Sequence, residues 1–310
     1  MNGVSIKQWL SAVGVVAALL PVAGHAADGV GGCGAVRLGE TIVATLDNAP
    51  IVTLFANGAA VILLLDTGAQ TTILTPAAAQ RIGAQRPRIE FERQMRGIAG
   101  SLPTGEAELR SFSIGGVAIP WRRVRVGQLG VANAFAIPID GVLGADSLSS
   151  FDVDLDLPGH RMVLYQRQTC AGAAPAWTEP YDQIAASRSL GDHLFFPVQL
   201  DGRRLAAFID TGAQLTVLSS QAAAALGLTA PVLALDRAIL VHGAAAEELN
   251  AHVHRFARLG IGTEVVRNLD IAVTNLRLSD ADLVLGVDFL KSRRMWMSYG
   301  SQQIFLSRRA

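Results

Sequence analysis

"LLLDTGAQTTILT" occupies residues 63–75, and "FIDTGAQLTVLS" occupies residues 208–219. The pentapeptide DTGAQ therefore occurs twice, each time at the end of an apolar run. An offset of 144 carries Asp66 onto Asp210, Gly58 onto Gly202, Gln70 onto Gln214, Thr72 onto Thr216, Leu74 onto Leu218 and Gly83 onto Gly227. Further on, "DGVLGADSL" (140–148) matches "DLVLGVDFL" (282–290) at an offset of 142. Self-similarity at a fixed spacing is the signature of a repeated structural unit. The chain reads as a tandem duplication.

Each repeat has legible local structure. Asn57-Gly58 and Asp201-Gly202 are hairpin turn signals. The apolar run 61–65 is too short for a capped helix and reads as a buried strand ending on the aspartate. Thr75-Pro76 and Ser219-Ser220 read as helix starts, and Gly83 and Gly227 as helix ends. "VLG" at 142–144 and 284–286 reads as a buried strand beside the DTG turn, with Gly144 and Gly286 permitting close approach. "DLDLPGHRMVLY" and "WMSYGSQQIFLS" read as hairpins turning at Pro158-Gly159 and Gly300-Ser301. "AGAAPAWTEPYDQ" has no period and reads as a linker. The expected organisation is a first lobe over 34–170, a linker over 171–190 and a second lobe over 191–310. Both lobes are expected to be mostly β with one short helix each, related by a pseudo-twofold axis.

Composition narrows the function. The chain has 310 residues, 50% of them hydrophobic, and a formal net charge of zero. That balance argues against nucleic acid or an anionic membrane as the main partner. "LSAVGVVAALLPVAG" follows Lys7, and Gly24 and Ala26 sit at −3 and −1 of a cut after Ala26, which is the signal-peptide pattern over residues 1–26. An uncleaved anchor is the alternative. The mature protein is expected in the periplasm or outside the cell, with no membrane contact after cleavage. Cys33 and Cys170 are the two cysteines, and an even count in an exported chain favours a bridge between them. Two free thiols remain open, as does a lipid anchor on Cys33 in "VGGC". His252 and His254 share a strand face without a third ligand for zinc. "DVDLDL" puts Asp152, Asp154 and Asp156 on one face, expected to be solvated. No metal or cofactor is expected.

A carboxylate at the end of a buried strand is partly desolvated, which disfavours its charged form. Two of them brought together by a twofold axis share one proton and titrate as a pair. The ionised member is a general base for a water; the protonated member is a hydrogen-bond donor to a carbonyl. Gly68 and Gly212 allow close backbone approach and unusual dihedrals at the turn. Thr67 and Thr211 can turn their hydroxyls inward and cross-link the two loops.

With DTGA and VLG each present twice, the sequence resembles the clan AA aspartic peptidases, in the retropepsin-like bacterial group. The similarity covers both halves. It implies a closed β fold per lobe, Asp66 and Asp210 as the catalytic pair of an endopeptidase, a cleft for a polypeptide, and flap hairpins over it. The flap positions implied are Gly97, Ile98, Ala99 and Gly100, and Val241, His242, Gly243 and Ala244. Retropepsins are usually homodimers, whereas a fused pair resembles the bilobal pepsins and is expected to act as a monomer. The pepsin pattern has Ser or Thr where Ala69 and Ala213 stand here, which implies a dyad that holds its proton to higher pH. A catalytically silent peptide-binding module on the same fold is the alternative reading.

Overall fold

The computed structural model describes residues 34–86, 93–97, 100–133, 135, 137–168, 174–242, 248–275 and 281–309. Residues 1–26 and both Cys33 and Cys170 lie outside the described residues.

Each repeat folds around one hairpin. Strand Ala49–Ala56 turns into Ala59–Leu65 in the first lobe, and Leu194–Leu200 into Arg203–Ile209 in the second. Asn57 and Gly58 have φ of 52° and 84°, and Asp201 and Gly202 have 45° and 87°. Positive φ at both central residues is the twist-matched hairpin turn that Asn-Gly and Asp-Gly favour. The run 61–65 is continuously apolar because both its faces are covered. Val61, Leu63 and Leu65 enter the main core, and Leu64 enters a smaller cluster with Ile51, Ile73, Leu129 and Val142. Strands covered on both faces lose the polar alternation of a half-exposed strand.

The "VLG" strand is the centre of each lobe. Gly141–Leu143 runs parallel to residues 63–65 and antiparallel to Ile73–Leu74. Leu283–Leu285 repeats this between residues 207–209 and Val217–Ser219. The DTG turn is therefore the loop that carries the chain from one side of this strand to the other. The helices that follow begin as the sequence indicates. Thr75 Oγ1 accepts the Ala78 N–H and Ser219 Oγ accepts the Ala222 N–H, both at 3.2 Å. They close before Gly83 (φ 61°) and Gly227 (φ 83°). The lobes carry more than one helix each, contrary to expectation. Ala145–Leu148 and Val287–Leu290 form single turns directly after Gly144 and Gly286, and Ala230–Leu233 forms another. Four residues are too few to show a helical period, so the pattern of the sequence does not reveal them.

The lobes are joined by a six-stranded sheet. The hairpin Phe151–Asp156/Arg161–Gln166 lies beside the hairpin Arg294–Ser298/Gln303–Ser307, with Asp152 opposite Ser298 and Asp156 opposite Arg294. Arg37–Leu46 adds to the first hairpin and Tyr181–Ala185 to the second. The linker expected over 171–190 thus contains a strand of the second repeat, the counterpart at offset 144 of the strand that begins at Arg37. Its inward positions are Asp182 and Ile184. Asp182 is paid for by Thr263 Oγ1 at 2.6 Å and by Arg308 at 3.1 Å, so a buried charge hides the alternation.

The face of Asp152 and Asp154 is also corrected. They are 0% and 1% exposed. Asp154 accepts from Arg294 Nε at 2.9 Å, from Arg294 Nη2 at 2.6 Å and from Trp177 Nε1 at 3.2 Å. Asp152 accepts from Ser298 Oγ at 3.0 Å, and burial pushes its carboxyl up to about 6. These carboxylates are the polar ties between the two halves. Removing one partner of a buried ion pair strands the other. Asp154→Ala is expected to cost roughly 2–4 kcal/mol, less than a fully enclosed pair because Glu179 remains to Arg294. Urea unfolding should show a lower midpoint with an unchanged slope; an unchanged midpoint would contradict the tie.

Candidate active site

Each DTG aspartate is fixed by backbone on one side and by the other lobe on the other. Asp66 N donates to Leu143 O at 3.1 Å, and Asp210 N to Leu285 O at 3.0 Å, so the VLG strand anchors both. The next residues lock the lobes together. Thr67 Oγ1 donates to Ile209 O at 2.8 Å and accepts the Thr211 N–H at 3.1 Å. Thr211 Oγ1 donates to Leu65 O at 2.6 Å and accepts the Thr67 N–H at 3.1 Å. Both threonines are buried. Four hydrogen bonds in a closed, buried ring pair both hydroxyls and both N–H groups of the two threonines.

The glycines follow from this ring. A Cβ at Gly68 would fall 2.3 Å from Asp210 Oδ2, and one at Gly212 would fall 2.3 Å from Asp66 Cγ. Close approach explains them; neither has a positive φ. Gly68 N (3.0 Å) and Ala69 N (2.8 Å) donate to Asp66 Oδ1, and Gly212 N (2.8 Å) and Ala213 N (3.1 Å) donate to Asp210 Oδ1. Ala69 and Ala213 supply no hydroxyl, so their contribution to the carboxyls is the backbone N–H.

The two carboxyls thus stand face to face, each over the other loop's glycine, close enough for each to shift the titration of the other. Burial raises Asp66 well above the ordinary value, and the charge of Asp210 raises it further. Burial also raises Asp210, opposed by the Gly212 N–H, the Asp66 carboxyl, the Ala213 N–H and the positive charge of His193. Two carboxyls this close and this desolvated share one proton and titrate as a pair.

A second tier holds the turns, and the sequence reading passed over it. Thr72 Oγ1 donates to Asp146 Oδ1 at 2.7 Å and accepts the Gly144 N–H at 3.1 Å. Thr216 Oγ1 does the same with Asp288 Oδ1 (2.7 Å) and Gly286 N (3.2 Å). The signal was present, because Asp146 and Asp288 stand at equivalent places in the two VLG blocks. Gly144 itself has no room for a side chain, since a Cβ would fall 2.6 Å from Thr71 C.

Both flap segments sit at hairpin ends. Gly97 pairs with Gly100 at the end of Arg93–Gly97/Gly100–Glu108; Ile98 and Ala99 lie outside the described residues. Val241 and His242 pair with Leu249 and Glu248; Gly243 and Ala244 lie outside the described residues. Val241 and Leu249 pack against the cluster of Phe208 and Val217, which also includes Ala213 at its edge. His254 is engaged by Asp236 Oδ2 at 2.7 Å. Among the described residues no group of three His, Cys, Asp or Glu is arranged to hold a metal ion.

Two protein-family models match the chain. Residues 52–147 match the model described as aspartyl protease, and residues 196–292 match the gag-polyprotein putative aspartyl protease. No curated protein matches it. Among solved structures it is similar to the aspartic proteinase from Irpex lacteus, at 12% identity and a TM-score of 0.53, over 88% of this chain and 97% of that one. At that identity the likeness speaks for the fold. The matched domains lie one in each repeat, so the chain carries two aspartyl protease domains in tandem, and its fold is that of a two-lobed aspartic proteinase.

Linkage fixes how the pair affects stability. Both carboxyls hold protons to higher pH when folded, so their contribution is fully present below the unfolded value of 3.8 and is lost as pH rises through the folded values. Each unit of such a shift is worth about 1.4 kcal/mol. Asp210→Asn keeps an acceptor for Gly212 and a donor toward Asp66 while removing the charge. It is expected to melt above the parent protein at pH 7 and level with it near pH 3, by calorimetry. A lower melting point at pH 7 would contradict the shared-proton pair.

Proposed function

We propose that this protein is an aspartic endopeptidase that hydrolyses peptide bonds with a water activated between Asp66 and Asp210. The observation that carries the reading is the pair of buried carboxyls, one from each lobe, brought together over the two glycines and held by the threonine ring. Ionised Asp210 takes a proton from the water as its oxygen attacks the peptide carbonyl carbon. Protonated Asp66 donates to the carbonyl oxygen, giving a neutral tetrahedral diol. A proton then passes to the leaving amine, the C–N bond breaks, and the dyad returns with one proton. Atoms balance with water as the only co-reactant. The substrate is an extended polypeptide, bonding to flap backbone as an added strand. One chain supplies both aspartates, so the active species is a monomer. The apolar segment before Ala26 supports export to the periplasm or beyond.

Cleavage of an unfolded protein tests the reading. Asp66→Asn and Asp210→Asn, each folded, are expected to lose activity by at least about 10³-fold, because neither carboxyl alone can be base and acid. Parent-like cleavage in either variant would overturn the mechanism, and tight binding of a peptide that the parent never cuts would favour the silent binding module.

The Ala residues after the DTG motifs set a direction for pH. A hydroxyl at position 69 or 213 would donate to the neighbouring carboxylate and favour its ionised form. Ala69→Ser and Ala213→Ser are therefore expected to move the acid limb of the kcat/KM profile to lower pH. A limb that stays in place, or moves up, would show that the hydroxyl does not reach the dyad.

A further inference from the structure

The two DTG turns are near copies, but what leans on them is not. The second-lobe turn 189–193 crosses to the first lobe, touching its active loop at two points and the end of the helix behind it at a third. Asp192 Oδ2 accepts from Ser149 Oγ at 3.1 Å. Gly191 lies against the Gln70 amide, where a Cβ would fall 2.4 Å from Nε2. His193 Nε2 lies 2.9 Å from Gly68 O. The mirror contact is simpler: Gln214 Nε2 donates to Asp47 O at 3.2 Å, in the equivalent turn of the first lobe. The offset of 144 that relates the repeats carries Ala49 onto His193. An alanine therefore occupies the place on one side that an imidazole occupies on the other.

The imidazole is held firmly. It stacks on Phe208 with ring centroids 5.3 Å apart and planes at 22°, and meets Phe195 edge-on at 6.1 Å. Its backbone N–H donates to Ser189 Oγ at 3.1 Å. A carbonyl oxygen only accepts, so Nε2 carries a proton in both charge states and Nδ1 is the nitrogen that titrates. The ring thus reaches the Gly68 peptide, the same peptide over which the Asp210 carboxylate sits.

We propose that His193 is a positioning residue that breaks the symmetry of the dyad, directing the negative charge to Asp210 and the shared proton to Asp66. The inference rests on the hydrolytic reading above and deepens it by assigning base and acid. The imidazolium favours ionised Asp210. One effect runs the other way. Pulling on the Gly68 carbonyl polarises its peptide and strengthens the Ala69 N–H bond to Asp66. Such cooperative strengthening is about 10–30% of one hydrogen bond, small beside a full charge. Asp192 is taken up by Arg188 Nε at 2.7 Å and by Ser149. The first-lobe loop brings the Asp66 carboxyl, and the ring's own lobe brings the Asp210 carboxyl.

The test uses His193→Phe, which keeps the aromatic stack and removes donor and charge, and His193→Gln, which keeps a donor and removes the charge. Isotope-edited infrared titration of the aspartate carboxyls reads the pair without any substrate. In an Asp66→Asn background, both His193 variants are expected to raise the titration of Asp210 by roughly one unit. In an Asp210→Asn background, they should move Asp66 by clearly less. The acid limb of kcat/KM should rise with Asp210. If no peptide is cut, the hydrolytic reading fails while the carboxyl titration still decides the role of His193. Should His193→Phe fail to fold, the same coupling is read in the native ring by NMR. Asp210→Asn should lower the His193 titration more than Asp66→Asn does, since linkage is reciprocal. Equal shifts at both aspartates, or none, would overturn the proposal.

Discussion

The structure depends on one ring of hydrogen bonds, in which Thr67 and Thr211 each donate a hydroxyl to the other lobe's backbone and accept an N–H from it. The ring is buried, so breaking any member leaves a buried group unpaired, at about 1–3 kcal/mol each. That penalty keeps two loops from separate repeats in a single relative position. In that position each aspartate stands over the other loop's glycine, with no space for a methyl group. The electrostatics follow from the sterics. Two carboxyls pressed together in a desolvated site cannot both be charged, and the chain holds one proton between them.

The rest of the fold serves this contact at two levels. Within each lobe, the VLG strand and the Thr–Asp ties of Thr72–Asp146 and Thr216–Asp288 stop the DTG turn from moving against its own sheet. Between lobes, the sheet carrying Asp154 and Arg294 stops the halves from separating. Duplication explains why these devices come in pairs. The repeats differ at a few of these places: Ala49 against His193, and Asp47 against Gly191. A symmetric frame with an asymmetric surround would suit the proposed hydrolysis, in which one carboxyl accepts a proton and its twin gives one.

Much of this was legible in the sequence, for local reasons. Asn57-Gly58 and Asp201-Gly202 announce their turns because few residues accept positive φ twice in succession. Thr75 and Ser219 announce their helices because a cap is a bond to an N–H three residues away. DTGAQ announced the site because a repeat puts the two copies in equivalent places, and the inward threonines followed from the same symmetry. The features that escaped depend on partners distant in the chain. Asp152 and Asp154 look like a wetted face until Arg294 and Ser298, some 140 residues on, are placed beside them. Tyr181–Ala185 looks like linker because its inward Asp182 needs Thr263 and Arg308 to explain it. His193 carries no motif at all; only the break in the repeat at Ala49 marks it.

The central claim is that the two halves meet to hold a single proton between Asp66 and Asp210 at neutral pH. Infrared difference spectra of the folded chain with carbon-13 aspartate, assigned through Asp66→Asn and Asp210→Asn, measure that directly. The account predicts one protonated carbonyl band and one carboxylate band from this pair, persisting together well above the ordinary value of 3.8. Two carboxylates that ionise together near that value would contradict it.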